Sequence, residues 1–440
     1  MSRTQGSIVT AAPWWQATRG DSLSILGGTP LVGSYAVSGA KNAALPLMVA
    51  ALLTPHLVTL RNLPGNLDVA VLSALLQRLG VELHWSNTEG GLTLTMCADR
   101  VHPGRIDAEL VVRMRASILL LGALLGRTGE AVIPMPGGDA IGLRAIDFHL
   151  AGLRALGAEV EIVDGAVRAT APNGLKGADF VLPRVSVGAT ENVMLAAVLA
   201  DGRTTLRNAA LEPEIGDLAS CLVGMGARIE GIGTDTLVID GGAPLGGVVH
   251  RVLPDRIEIG TLACAAAMTG GELRLGGADR QLLGAAAPAL EAAGIEIIDS
   301  PEGLVARRSY GGLVGIDLVT QPYPGVATDL QAPIMAMLTL AEGASSITET
   351  IFDRRFRHVD ELRKMNANIL VRGSTAIIRG APRLTGAAVV GTDVRAAAAL
   401  LIAGLAAEGE AVLTGLDHLD RGYDGIVAKL AACGGRMVRA

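Results

Sequence analysis

Leu76-Gln77-Arg78-Leu79-Gly80-Val81-Glu82-Leu83 reads as the end of a helix running directly into a strand. Leucines at i and i+3 hold the helix to a sheet, Gly80 supplies the left-handed residue that stops it, and alternating residues begin a half-buried strand. The same wording returns in Leu153-Arg154-Ala155-Leu156-Gly157-Ala158-Glu159-Val160, in Leu222-Val223-Gly224-Met225-Gly226-Ala227-Arg228-Ile229 and in Leu290-Glu291-Ala292-Ala293-Gly294-Ile295-Glu296-Ile297. Leu362-Arg363-Lys364-Met365-Asn366-Ala367-Asn368-Ile369 and Leu430-Ala431-Ala432-Cys433-Gly434-Gly435-Arg436-Met437 complete the set, with Asn366 standing where the others have glycine. Short β segments of the Thr59-Leu60-Arg61-Asn62 or Thr205-Leu206-Arg207-Asn208 type precede these helices. The copies lie about 70 residues apart, longer than the roughly 20–50 of solenoid repeats, so six βαβαββ-like units form two sets of three rather than an open array.

The bulk composition agrees with a folded α/β protein. Hydrophobic content is 50% and charged content 18%, enough for substantial cores in a 440-residue chain. Aromatics are only 2%, so those cores must be built from Ala, Val, Leu and Ile. A net charge of −6 leaves no global footprint for nucleic acid, and an anionic substrate would need a local cluster of Arg and Lys. Cys97, Cys221, Cys264 and Cys433 show no metal-ligand spacing and read as reduced thiols. No metal, nicotinamide or flavin motif appears, so no cofactor is expected. The first twenty residues lack a signal-peptide core, and apolar runs such as Ala43–Leu53 fall short of the roughly 20 residues that span a bilayer. These features point to the cytoplasm, without a membrane partner.

Several short polar stretches could carry chemistry. Ser38-Gly39-Ala40-Lys41-Asn42 precedes an Ala/Leu-rich helix, and such a helix start favours anions; a solvated turn lysine is the alternative. Arg113-Met114-Arg115 is either an exposed helix end or part of an anion site. Pro136-Gly137-Gly138-Asp139-Ala140-Ile141-Gly142 is a mobile loop by composition, in which Asp139 could equally make an Asx turn or cap the next helix. Arg184-Val185-Ser186-Val187-Gly188-Ala189-Thr190 offers a basic side chain, a hydroxyl and backbone amides entering a helix, which suits a diphosphate. Asp329, in Ala327-Thr328-Asp329-Leu330-Gln331, stands where an N-capping residue is expected. Asp353-Arg354-Arg355-Phe356, Thr392-Asp393-Val394-Arg395 and Asp420-Arg421-Gly422-Tyr423 recur with the repeat, so their arginines either pair structurally or converge on one cleft.

Taken in order, these stretches resemble the UDP-N-acetylglucosamine 1-carboxyvinyltransferase (enolpyruvyl transferase) family over roughly residues 25–437. The resemblance implies a two-lobed inside-out α/β barrel, with three units per lobe around a pseudo-threefold axis, helices inside and sheets outside. It also implies a discontinuous first lobe of residues 1–45 plus 254–440, carrying an N-terminal tail at about 1–21, and a second lobe of 46–253 that holds the 136–142 lid loop. The partners it implies are phosphoenolpyruvate and UDP-N-acetylglucosamine.

The family's site residues transfer position by position. Lys41 and Asn42 would contact phosphoenolpyruvate, as would Arg395 and Arg421, with Arg355 near the transition state. Arg115 would lie at the substrate pocket. Arg144-Ala145-Ile146-Asp147-Phe148 resembles a segment that contacts the uridine portion and phosphoenolpyruvate, with Ala145 in place of the usual proline. Arg184, Ser186, Val187 and Gly188 would hold the diphosphate, Arg184 replacing a common lysine. Ile351 and Asp393 would complete substrate binding. Asp329 would take the proton of the sugar 3-hydroxyl, and here Val326-Ala327 replaces the family's Phe-Pro beside it.

Asp139 is the largest departure, because the family carries a lid cysteine there that acts in proton transfer and product release. The activity implied is enolpyruvyl transfer to the 3-hydroxyl of UDP-N-acetylglucosamine, which begins peptidoglycan synthesis. Transfer to shikimate 3-phosphate or to another uridine nucleotide, and a catalytically weak binding paralogue, stand as alternatives. Loss of the alkylatable thiol also implies resistance to the epoxide fosfomycin.

Overall fold

Two separate apolar cores organise this chain in a computed structural model that describes residues 21–88, 91–103, 106–142 and 144–440. One core runs from Ala40 to Val252. The other joins Leu23–Val37 to Ile257–Cys433. The second core therefore begins before the first and ends after it, so the chain leaves one lobe, builds the other and returns. Ala40, Ala43, Ala44 and Leu45 pack with the middle core. The tail expected at about 1–21 lies, except for Asp21, outside the described residues.

All six repeats fold as a helix stopping into a strand. Gly80, Gly157, Gly226, Gly294 and Gly434 take φ between +91° and +105°, and Asn366 takes +72°. This left-handed geometry costs glycine nothing and asparagine little, which is why only those two residue types occupy the position. A complete unit is seen in Asp179–Val181, Val187–Ala197, Arg203–Arg207, Pro213–Gly224, Arg228–Glu230 and Thr236–Asp240. Its sheet has one parallel pair and two antiparallel pairs. Four other sheets repeat that pattern, and the sixth has three strands among the described residues.

Three sheets are completed by strands remote in sequence. Ser22–Leu26 fits between Glu410–Thr414 and Arg436–Arg439. Val32–Ala36 pairs parallel with Glu272–Gly276, and Val248–Arg251 with Val58–Arg61. The sheets lie outside, covering helices that are apolar on every side and therefore buried whole. Arg256–Thr269, Thr328–Leu338 and Val394–Ala406 pack on one another in one lobe. Lys41–Ala50, Leu120–Thr128 and Val187–Ala197 fill the other. This is the two-lobed α/β architecture that the resemblance implied. Among the described residues, no helix is long and apolar enough to cross a membrane.

The two crossovers run side by side. Gly39 bridges Pro254, Ala40 N donates to Leu253 O (2.8 Å) and Asp255 N to Ser38 O (2.9 Å). Gly39 has no room for a side chain, since a Cβ there would meet Asn62 O at 1.8 Å. Asp255 then serves both lobes: Oδ1 caps the Arg256 helix, and Oδ2 accepts from Lys41 N (3.3 Å) at the other. Beside it, Arg256 of one lobe pairs with Glu214 of the other at 2.9 Å, both almost fully buried.

Breaking a buried pair from one side leaves an uncompensated charge. Glu214→Ala should therefore cost about 3–5 kcal/mol in a urea unfolding series. Lys176→Ala, which removes an exposed pair with Asp201, should leave the midpoint unchanged.

Candidate active site

The buried helices present polar groups at their N-terminal ends, and those ends meet where the lobes meet. Asp329 is the clearest case. Isolated, it reads as an N-cap, but Ala327 occupies the cap position and Asp329 sits inside the first turn without capping it. Its carboxylate is instead gripped from both lobes: Oδ1 accepts from Arg355 Nη2 (2.7 Å), and Oδ2 from Arg395 Nη2 (3.1 Å) and Asn42 Nδ2 (3.3 Å). Burial alone would raise the Asp329 carboxyl, but Arg395 and Arg355, with Lys41 behind them, outweigh it and hold it far below the usual carboxylate range.

The arginines are themselves positioned. Asp393 caps the Val394–Ala406 helix through Arg395 N and Ala396 N and lies 3.9 Å from Arg355 Nη1. Arg395 stacks over Tyr423, and Arg355 over Phe352. Arg395 Nη1 and Arg355 Nε are buried without an acceptor among the described residues. Such donors are set for an anionic ligand. Glu349 steadies the neighbouring turn, accepting from Thr328 Oγ1 and from the amides of Ile351 and Phe352.

A second carboxylate cluster lies beside the first. Asp68, nearly fully buried, accepts from Lys41 Nζ (3.2 Å) and from Arg421 Nε (2.8 Å), so it draws cations of the two lobes together. Arg421 Nη1 then reaches Asp139 Oδ1 at 2.7 Å. The 136–142 loop, expected to be mobile, is thereby pinned across the cleft. Arg354 N donates to Ile141 O (3.1 Å), and Gly142 lies so close to Asp353 that a Cβ would meet its Oδ1 at 2.0 Å. One ion pair and these backbone contacts outweigh the loop's glycine freedom. Burial pushes the Asp139 carboxyl up, but His418, Arg421 and Lys41 more than reverse this, and it stays ionised well below the usual range.

Arg115 and Arg144 flank the loop. Arg115 Nη2 donates to Ala145 O (2.9 Å), and burial beside Arg144 pushes its guanidinium down to about 10. Arg144 stacks over Phe352 of the opposite lobe at 5.7 Å. Ile146 is buried, Phe148 half-buried against the core, and Ala145 and Asp147 exposed. Ser186 caps the Val187–Ala197 helix through Ala189 N, while Arg184 is exposed at the approach to it. Gly188 faces His149, where a Cβ would meet Cε1 at 3.0 Å.

His149 was not singled out in the sequence, nor were Asp68, His418 and Glu349. Asn192 explains the state of His149. Its Oδ1 accepts from Gly122 N and its Nδ2 donates to Ile118 O, leaving the other amide hydrogen for His149 Nδ1. His149 Nε2 therefore carries the proton and faces Gly188. Burial, with Arg115 and Arg144 adding to it, pushes His149 down to about 3, so the ring is neutral.

The whole arrangement offers two carboxylates within a cationic cleft, beside a helix start suited to a phosphate. The profile of EPSP synthase (3-phosphoshikimate 1-carboxyvinyltransferase) matches residues 25–430. The chain is 52% identical over 419 residues to the UDP-N-acetylglucosamine 1-carboxyvinyltransferase of Gluconacetobacter diazotrophicus, covering 95% of this chain and 99% of that one. It is 51% identical over 426 residues to the protein of the same name from Rhodospirillum centenum, again covering 95% and 99%. Among solved structures it is similar to the enolpyruvyl transferase NikO from Streptomyces tendae, with a TM-score of 0.86 and 27% identity over 96% of this chain and 99% of that one. EPSP synthase from Acinetobacter baumannii shares the fold, with a TM-score of 0.73 and 18% identity over 95% of this chain and 99% of that one. The chain belongs to the enolpyruvyl transferase family, among the UDP-N-acetylglucosamine 1-carboxyvinyltransferases.

Proposed function

We propose that this protein transfers the enolpyruvyl group of phosphoenolpyruvate to the 3-hydroxyl of UDP-N-acetylglucosamine, releasing phosphate, as the first committed step of peptidoglycan synthesis. The observation that carries this reading is Asp329, a half-buried carboxylate held by Asn42 of one lobe and by Arg355 and Arg395 of the other. A site assembled from both lobes suits a reaction between two anionic substrates. We assign the protein to the cytoplasm, in keeping with its four unpaired cysteines.

The chemistry needs a base at the hydroxyl, an acid at the methylene carbon, and cations for phosphate and carboxylate. Asp329 is the base. Its two arginines suppress its basicity, so it gains proton affinity only when the carboxylate and phosphate of phosphoenolpyruvate compete for those guanidinium groups. The hydroxyl oxygen then bonds to the central carbon, its proton passes to Asp329, and the methylene carbon gains a proton on the lid side. Cleavage of the bond to phosphate and return of a methyl proton leave the enol ether. Lys41, Arg421 and Arg395 neutralise the charge on phosphoenolpyruvate, a preorganised electrostatic contribution that is usually the largest single one. Arg115, Arg144 and the Ser186–Gly188 helix start take the nucleotide sugar, with His149 Nε2–H as an added donor.

Phosphate release with UDP-N-acetylglucosamine, shikimate 3-phosphate and other uridine nucleotides tests the acceptor directly. Turnover only with the first is expected, and turnover only with shikimate 3-phosphate would reject the reading. Asp329→Asn should lower kcat by roughly 10²-fold or more while nucleotide-sugar binding persists in calorimetry; a near-normal rate would remove Asp329 from the base role.

Asp139 offers a carboxylate where an epoxide such as fosfomycin would need a thiolate. The wild type should keep its activity through prolonged incubation with fosfomycin, and Asp139→Cys should acquire time-dependent inactivation. Stoichiometric inactivation of the wild type would contradict this, since Cys97, Cys221, Cys264 and Cys433 all lie outside the loop.

A further inference from the structure

Asp139 poses a problem that a lid thiol would not. Its Oδ1 is paired with Arg421 at 2.7 Å, and its side chain is only 13% exposed, so it neither holds a proton readily nor collects one from solvent. One neighbour can do both. His418 Nδ1 lies 3.4 Å from the same Oδ1, and its side chain is 31% exposed. That Nδ1 is buried and has no hydrogen-bond partner among the described residues. His418 and Arg421 lie one turn apart on the Leu416–Gly422 helix, so both address the lid carboxylate from one helix face.

We infer that His418 supplies the lid carboxylate with its proton. His418 takes a proton from solvent and passes it from Nδ1 to Asp139 Oδ1, and Asp139 gives it to the methylene carbon of phosphoenolpyruvate. The methyl proton lost when phosphate leaves returns along the same path, so each turnover restores both groups. His418 acts through Asp139 and does not touch substrate itself. This rests on the enolpyruvyl-transfer reading above.

Charged groups face His418 from each element packed around it. Asp139 faces it from the lid, Arg421, Asp417 and Asp420 share its helix, and the helices bearing Asp68 and Arg395 pack against that helix. The relay makes turnover fall as pH rises, because only the protonated ring can donate. A purely electrostatic role predicts the opposite sign. There, a histidinium merely holds Asp139 ionised, and removing it would make the acid easier to form and raise the rate.

The test compares His418→Asn in two backgrounds, the wild type and Asp139→Cys, with kcat and KM followed from pH 5.5 to 9. Asparagine keeps a donor near the Nδ1 position but cannot titrate. In the wild-type background, kcat near neutral pH should fall by about tenfold or more, less than the roughly 10²–10⁴-fold of a group that touches the reacting atoms because His418 acts through Asp139, and the alkaline limb should disappear. In the Asp139→Cys background the same change should alter kcat by less than about twofold, since coupling is lost when the partner is replaced. An unchanged or faster His418→Asn protein that keeps the limb overturns the relay, as does an equal loss in both backgrounds. Wild-type turnover in the same series separates the two ideas. An inactive wild type overturns the functional reading and the relay together, whereas an active wild type with an indifferent His418 overturns the relay alone.

Discussion

Burying a helix on every side leaves only its ends free to show polar chemistry, and this constraint, met here at the N-terminal ends, shapes the molecule. Free backbone amides at those ends must be satisfied and favour negative charge. In this chain they are met by the side chains of Asp255, Asp393 and Ser186, of which Asp255 also reaches the other lobe. Lys41, Asn42, Asp329 and Arg395 occupy the first turns of the same set of helices. The sheets outside carry little of this chemistry. They keep the helices dry and fix where their ends point.

Within the cleft the carboxylates matter as much as the cations. Guanidinium and ammonium groups crowded together repel, and burial penalises each of them. Asp68 offsets this for Lys41 and Arg421, and Asp329 does so for Arg355 and Arg395. The arrangement is preorganised yet exchangeable, because an incoming phosphate or carboxylate can replace a protein carboxylate on the same donors. On the proposed reading, Asp329 thereby couples substrate arrival to its own basicity. Asp139 ties Arg421 to the lid, so binding of an anion at Arg421 bears on the lid contact as well.

Periodic and local features were legible in the sequence. The six helix stops are local, since glycine or asparagine at one position of a repeat has a single physical meaning, and all six are left-handed. The pairing of Val32–Ala36 with Glu272–Gly276 was not legible, because a strand's alternation tells which face is buried but not which strand lies beside it. Asp329 looked like a cap because Thr-Asp before an apolar run usually is one; the helix starts earlier, and tertiary partners claim the carboxylate. Asp68 could not be read at all. It looks like an ordinary first-turn acid, and its meaning lies in an arginine 353 residues away. The lid's glycines announced freedom, but the ion pair that removes it needs a partner from the other lobe.

On the proposed reading, the two lobes' helix starts form one site around Asp329, whose guanidinium partners yield to substrate. A crystal structure with UDP-N-acetylglucosamine and an unreactive phosphoenolpyruvate analogue tests this most directly. The sugar 3-hydroxyl is expected about 2.6–3.2 Å from an Asp329 oxygen, the diphosphate at the Ser186–Gly188 helix start, and at least one of Arg355 and Arg395 turned onto the analogue. A sugar bound elsewhere, with both arginines still on Asp329, would contradict it.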